Sequence, residues 1–323
     1  LRHAVYSPTI PAPPAFDQTD MPATPGTPSA PNCREPLAGW LLVLLACIPA
    51  AIYLAVSWLV VDNTPQDDDY PQFFFTVMQQ QQAQSLLEHL RALHWNYFQH
   101  NGVFVKLVSL GLYRLTGQLD LQLLNLLGNL SLPLIIGLLA YHVQREKLPL
   151  YSIAVASLLT CSMYPWTAIT WPMCSLFYFG TVLLAFACFH LLDLPRPRPL
   201  AAALCSWLAV FTMANGILSI PIAGLLVGYR QYTEKKFSRS TLAFLAGSTA
   251  LCLLVYANTF NLFDSSVYGA KTLEQSFVNV GGRLVDFLES LGSVPFFPNE
   301  YRHGKIALGS IMLLLVCTLL LSR

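Results

Sequence analysis

Long apolar runs separated by short polar breaks fill most of this chain. Three of them, Gly39 to Val61, Leu123 to His142 and Trp171 to Leu192, reach the roughly 20 residues a helix needs to cross a bilayer core. Shorter runs lie at Leu148 to Tyr164, Pro199 to Ala214, Ile217 to Tyr229, Thr241 to Tyr256 and Ile306 to Leu321. They are bounded by polar residues or by Pro and Gly, and together the runs predict an all-α polytopic membrane protein of about eight spans. Two of the short runs form a hairpin broken at "MANG", where Asn215-Gly216 is a turn signal.

One segment, "NGVFVKLVSLGLYRLTG" from Asn101 to Gly117, is apolar but short and carries Lys106 and Arg114. Lys106, Ser109 and Tyr113 recur at helical spacing on one narrow face, which reads as a helix lying along the interface with its cations snorkelling to water. With this segment kept out of the membrane and the N-terminus cytoplasmic, the loops holding Arg145 and Lys147, Arg196 and Arg198, and Arg230, Lys235, Lys236 and Arg239 all fall inside, as the bias of cytoplasmic loops requires. Upstream, "AQSLLEHLRALHWNYF" repeats Leu86, Leu90 and Leu93 at helical spacing and predicts a second amphipathic helix. The first external loop, Asp62 to Gln122, is therefore an acidic cluster followed by two interfacial helices. A second external loop runs from Asn258 to Lys305.

Composition agrees: 54% of the 323 residues are hydrophobic and 11% charged, far more apolar content than one soluble core uses. A net charge of +1 with no basic block gives nucleic acid nothing to bind. Seven of the eight cysteines lie in or beside apolar runs without paired spacing, which reads as core packing. Residues 1–36 are rich in Pro, Ala and Thr and read as a disordered tail, with 37–323 as the membrane domain. The chain begins with Leu and stops directly after an apolar run, as a fragment would.

The chemistry concentrates in "VVDNTPQDDDYPQFFF", where Asp67, Asp68 and Asp69 follow the first span. Such a cluster can be a solvated acidic loop or a charge at a helix N-terminus. It can also be a reactive group, because adjacent carboxylates at an interface raise one another's pKa and leave one as a general base and another as an orienter or metal ligand.

The order of features resembles the GT-C class of membrane glycosyltransferases. "DDDYPQFFF" resembles the "DDY" form of that class's acidic pair, and "HNGVFVKLVSLGLYRLTG" the start of its second juxtamembrane helix. "YPWTAITWPMCSLFYFGTVLLAF", "AVFTMANGILSIPIAGLLVG" and "FLESLGSVPFFPN" resemble segments of an uncharacterised bacterial branch, so the resemblance covers Gly39 to Leu321. Related branches often carry Glu, His and Arg after the His-Asn pair, where this chain has Gly102-Val103-Phe104. The resemblance implies transfer of a sugar from a polyprenyl-phosphate carrier to a glycan, lipid or protein acceptor at the external face of a bacterial inner membrane. Carried onto the matching residues, it implies Asp68 as base, Asp69 as its partner and Asp67 as the alternative base. Inversion at the sugar is the expected outcome of a single displacement.

Such a reaction also needs a cation for the departing phosphate. Arg302 and Lys305 stand with His303 at the external end of the last apolar run, where a lipid phosphate would lie or where cations anchor a span. His100 beside Asn101 suits hydrogen bonding to sugar or phosphate. Trp166 and Trp171 suit an aromatic belt or sugar stacking. His89, His94 and His100 share the acidic loop, so a divalent metal is conceivable, although their spacings do not fall on one helical face. A transporter or flippase would place charges within the spans; a non-catalytic scaffold would make the acidic cluster dispensable.

Overall fold

Every regular element among the described residues is helical. The computed structural model describes residues 35–95, 101–162, 166–259, 285, 288 and 302–321; residues 1–34 of the Pro-rich tail, His100, and most of the expected second external loop lie outside them, while Glu35 and Pro36, expected in the tail, open the first helix. In chain order the helices are α1 (Glu35–Val60), α2 (Phe75–Gln82, entered through a wide turn at Tyr70–Phe74), α3 (Leu86–His94), α4 (Val103–Thr116), α5 (Leu121–Asn129) and α6 (Ser131–Arg145). They continue as α7 (Tyr151–Thr160), α8 (Trp166–Thr170), α9 (Pro172–Asp193), α10 (Pro199–Thr212), α11 (Ser219–Glu234), α12 (Arg239–Thr259) and α13 (Arg302–Leu321).

Local chemistry sets the boundaries. Pro172 and Pro199 open α9 and α10 at positions whose N–H has no intrahelical partner. Ser85 and Glu88 form a reciprocal capping box on α3, and Gly117, at φ +76°, closes α4 in the left-handed conformation. The predicted hairpin at "MANG" is present as a tight turn, Ala214–Leu218, between α10 and α11.

Three stretches are long and apolar enough to cross a bilayer: α5 with α6 (Leu121–Arg145), α9, and Arg239–Ala257 of α12. Leu44–Val60, Tyr151–Thr160, Pro199–Thr212 and His303–Leu314 are shorter apolar helices. Within the expected run from Leu148 to Tyr164 the described helix is Tyr151–Thr160, ten residues long. Outward-facing leucines such as Leu59, Leu225 and Leu254 are 80%, 75% and 66% exposed, which fits lipid around the bundle.

Helix α9 is the axis, touching α4, α5, α6, α8, α10 and α11. Near its start, Tyr53, Ile135 and Ile169 pack α1, α6 and α8 together with its Cys174 and Phe179. Phe73, Leu124 and Phe177 join the first loop, α5 and α9 in an adjoining core. Between the apolar layers runs a chain of amides. Asn129 donates to the carbonyls of Asn125 and Ile169 at 2.9 and 3.0 Å and accepts from the Tyr53 hydroxyl; Asn125 donates to the Ser57 carbonyl at 3.3 Å. These fully buried groups fix α1, α5 and α8 in one register, since slippage would strand them without water.

The chain crosses back and forth so that α1 ends, α5 and α9 begin and α10 ends at one pole, which carries Asp67, Asp68 and Asp69. The opposite pole collects Arg145, Lys147, Arg196, Arg198, Arg230, Lys235, Lys236 and Arg239. There Asp193 at the end of α9 pairs with Arg145 of α6 and Arg230 of α11.

The two amphipathic helices of the first loop are α3 and α4, but α4 is turned over relative to expectation. Lys106 and Ser109 are fully buried, whereas Leu107 and Leu115 are 42% and 86% exposed. The snorkelling assigned to Lys106 is therefore incorrect. Where the surroundings are lipid, the polar stripe of a helix is the one that turns toward protein.

Replacing Asn129 with Leu should lower stability by about 1–2 kcal/mol, read from unfolding in detergent. Combined with Tyr53→Phe it should cost clearly less than the two singles together, because both remove the same bond. Additive losses would mean the network is not connected as described.

Candidate active site at the acidic pole

Between α1 and α2 the chain is stitched to the starts of two other helices. The Asn63 side-chain oxygen accepts from the amides of Leu121 and Gln122 at 2.7 and 3.1 Å, alongside the Asp120 cap on α5. Asp69 does the same for α9. Its carboxylate accepts from the Trp171 indole N–H at 3.1 Å and from the Met173 backbone, and from the Gln66 amide at 2.9 Å. The Asp69 amide returns a bond of 2.8 Å to the Gln66 carbonyl, closing a tight turn.

Asp69 is completely buried. Loss of hydration pushes its carboxyl up to about 6, the three donors opposing the shift and the neighbouring Asp68 charge adding to it. Asp68 is half-buried and Asp67 exposed. The three carboxylates thus occupy three environments: a clamped and desolvated group, an accessible group beside it, and one in solvent.

Next to Asp69 the pole has a polar inner wall. Gln72, Thr76 and Asn101 are buried, and among the described residues neither the two amides nor the Thr76 hydroxyl has a hydrogen-bond partner. Gln72 lies directly against Gly102, where an added Cβ would come within 2.5 Å of its oxygen and 2.9 Å of the Phe177 ring. Gly102 also has φ +62°, and its amide donates to the Thr212 carbonyl at 3.2 Å. Only glycine satisfies both conditions, so the Asn101-Gly102 corner is locked to the end of α10 with Asn101 facing inward.

Lys106 joins the two amphipathic helices of the first loop. Its ammonium donates to the carbonyls of Leu93, at 3.2 Å, and Trp95, and lies 5.5 Å from the Trp95 ring centre. Burial depresses it to about 7, and its N–H groups satisfy the open carbonyl end of α3 without reaching water.

The other expected site residues are scattered. Trp171 is half-buried and donates its indole N–H to Asp69. Trp166 begins α8, with its side chain outside the described residues. On α13, Lys305 is buried at 2% exposure and His303 is exposed; the Arg302 side chain lies outside the described residues. His89 bonds the Gln80 amide at 2.8 Å, and the His94 ring meets Phe211 edge-on, with ring centres 5.6 Å apart. Among the described residues no group of three His, Cys, Asp or Glu side chains converges as a metal would need. Sequence reasoning missed Gln72, Thr76 and the inward role of Lys106. The first two are four apart on one helical face of "YPQFFFTVMQQ", a polar pair among aromatics that would have marked them.

Searches against known protein families, curated proteins and solved structures found no match.

Because Asp69 holds its proton more tightly in the folded state than the ordinary carboxyl value of 3.8 implies, folding stability should fall as pH rises from about 4 to about 6 and then level off. The fall should be on the order of 3 kcal/mol. Thermal unfolding across pH 3.5–8 reads this directly, and Asp69→Asn, which cannot ionise, should flatten the slope. An unchanged slope in that variant would assign the titration elsewhere.

Proposed function

We propose that this chain is a membrane-embedded glycosyltransferase of the GT-C type, with about eight spans, that moves a sugar from a polyprenyl-phosphate carrier to an acceptor at the acidic pole. The observation carrying the reading is the division of labour between neighbouring carboxylates. Asp69 is committed to three protein donors, so Asp68 is the half-buried carboxylate an acceptor hydroxyl can reach.

In this mechanism Asp68 takes the hydroxyl proton as the acceptor oxygen bonds to the anomeric carbon. The bond from that carbon to the phosphate oxygen breaks on the opposite face, and the carrier phosphate leaves with the electron pair. Asp69 fixes the turn that presents Asp68 and, sharing its field, keeps the pair from accumulating two full charges. Asn101 and Gln72 offer buried amides to a polar ligand. Arg302, Lys305 and His303 are the candidates for the departing phosphate; Asp67 is the alternative base.

The basic pole faces the cytoplasm in this reading and the acidic pole the exterior of a bacterial inner membrane, following the charge bias of short loops. External thiol labelling should reach a cysteine placed at Thr64 and not one at Gln231. The reverse pattern would invert the orientation and move the reaction to the cytoplasmic face.

Asp68→Asn should lower transfer of labelled sugar from a polyprenyl-phosphate donor by on the order of 10²-fold or more, with expression and unfolding temperature unchanged. Asp67→Asn should leave transfer within about threefold, since the charge of an exposed carboxylate is screened by solvent. Full activity of Asp68→Asn with loss in Asp67→Asn would move the base one residue; full activity of the triple Asn variant would end the reading.

A further inference from the structure

Toward the basic pole, helices α9, α10, α11 and α12 do not close on one another. They leave a cavity of about 590 Å³, lined almost wholly by apolar groups. Its walls include the small residues Ala203, Gly224 and Ala246. The serines that border it are already bonded, Ser206 to Ser219 at 2.9 Å and Ser248 to the Trp207 indole at 3.1 Å. The interior therefore asks for hydrocarbon rather than for a polar ligand or water.

Its length and position are specific. Along α12 the lining runs from Leu242 to Leu253, about 16 Å at a rise of roughly 1.5 Å per residue. That is about half of a hydrocarbon core of roughly 30 Å, the depth of one leaflet. The end near Leu192 and Leu242 is floored by Phe237, which packs against Cys188, Leu192 and Ala202.

Beyond that floor lies the charge. Asp193 holds Arg145 and Arg230, Glu234 pairs with Arg230, and Glu146 pairs with Arg145. The Lys236 ammonium donates to the Asp193 carbonyl at 3.1 Å. Every acidic side chain of this network is thus already engaged. Lys235 and Arg239, on either side of Phe237, are exposed and belong to no ion pair among the described residues.

We infer that this groove holds one acyl chain of an anionic phospholipid from the leaflet at the basic pole, with the lipid phosphate at Lys235 and Arg239. Charge complementarity at one end and a leaflet-deep apolar slot select that occupant over a soluble ligand. The lipid would complete the packing of α12, only 11% of whose apolar span is buried by protein. This site lies at the pole opposite Asp68 and does not rest on the transferase reading.

The test uses the full chain, purified in mild detergent, stripped of lipid and mixed separately with phosphatidylglycerol and phosphatidylcholine of matched chains before native mass spectrometry. One phosphatidylglycerol should be retained per chain, in preference to phosphatidylcholine by on the order of tenfold. The double variant Lys235→Gln, Arg239→Gln should lose that preference. Gly224→Leu should lose both lipids; a side chain begun at Gly224 meets nothing within 4 Å, so the variant fills the slot without displacing backbone. Ala246→Leu fills it from α12 and serves if Gly224→Leu loses its helical circular dichroism. Equal retention of the two lipids by the parent chain would overturn the inference, as would undiminished phosphatidylglycerol in a folded filled variant. A lipid-free dimer that the filled variants abolish would give the groove to a second copy of the chain and overturn it equally.

Discussion

Helix α9 is held at each end by a buried aspartate, and the arrangement of the bundle follows from those two anchors. At its start the carboxylate comes from outside the helix: Asp69 of the first loop bonds Trp171 and the Met173 backbone. At its finish the helix supplies its own Asp193, which draws in Arg145 and Arg230 from α6 and α11. An anion at the positive end of a helix is favourable. One at the negative end is not, which is why the second anchor comes with two guanidinium groups and the first with none among the described residues.

The acidic pole gains its chemistry from that anchoring. Clamping Asp69 commits it to Gln66, Trp171 and Met173, and burial lifts its carboxyl up to about 6 against the pull of those bonds, while it remains a positioning residue. The same clamp fixes the turn from Gln66 to Asp69, leaving Asp68 half-buried. Asn63 repeats the device on α5. The loop after α1 is thus ordered by capping two helices that follow it much later in the chain, while the amides of Gln72 and Asn101, unpartnered among the described residues, form its inner wall.

Hydropathy, helical periodicity, the Asn215-Gly216 turn signal and the clustering of charge revealed the helical class, the hairpin, the two amphipathic helices of the first loop and the separation of basic from acidic poles. These are properties of runs and periods, which a sequence displays directly. The facing of α4 was not legible, because periodicity finds a polar stripe without saying whether water or protein will meet it; Lys106 and Ser109 turned inward. The partners of Asp69 were equally hidden, since Trp171 is 102 residues away and its indole reads as a belt anchor until the fold brings α9 to the loop. The amide chain from Tyr53 to Asn129 was missed because isolated Asn residues do little to a hydropathy average, although each fixes a helix pair.

Amide hydrogen exchange over Gln66–Phe75 tests the clamp most directly. The account predicts slow exchange at Gln66, Asp69 and Gln72, whose amides are bonded within the turn, and loss of that protection in Asp69→Asn together with faster exchange at the start of α9. Rapid exchange of this segment in the unaltered protein, or protection unchanged by Asp69→Asn, would contradict it.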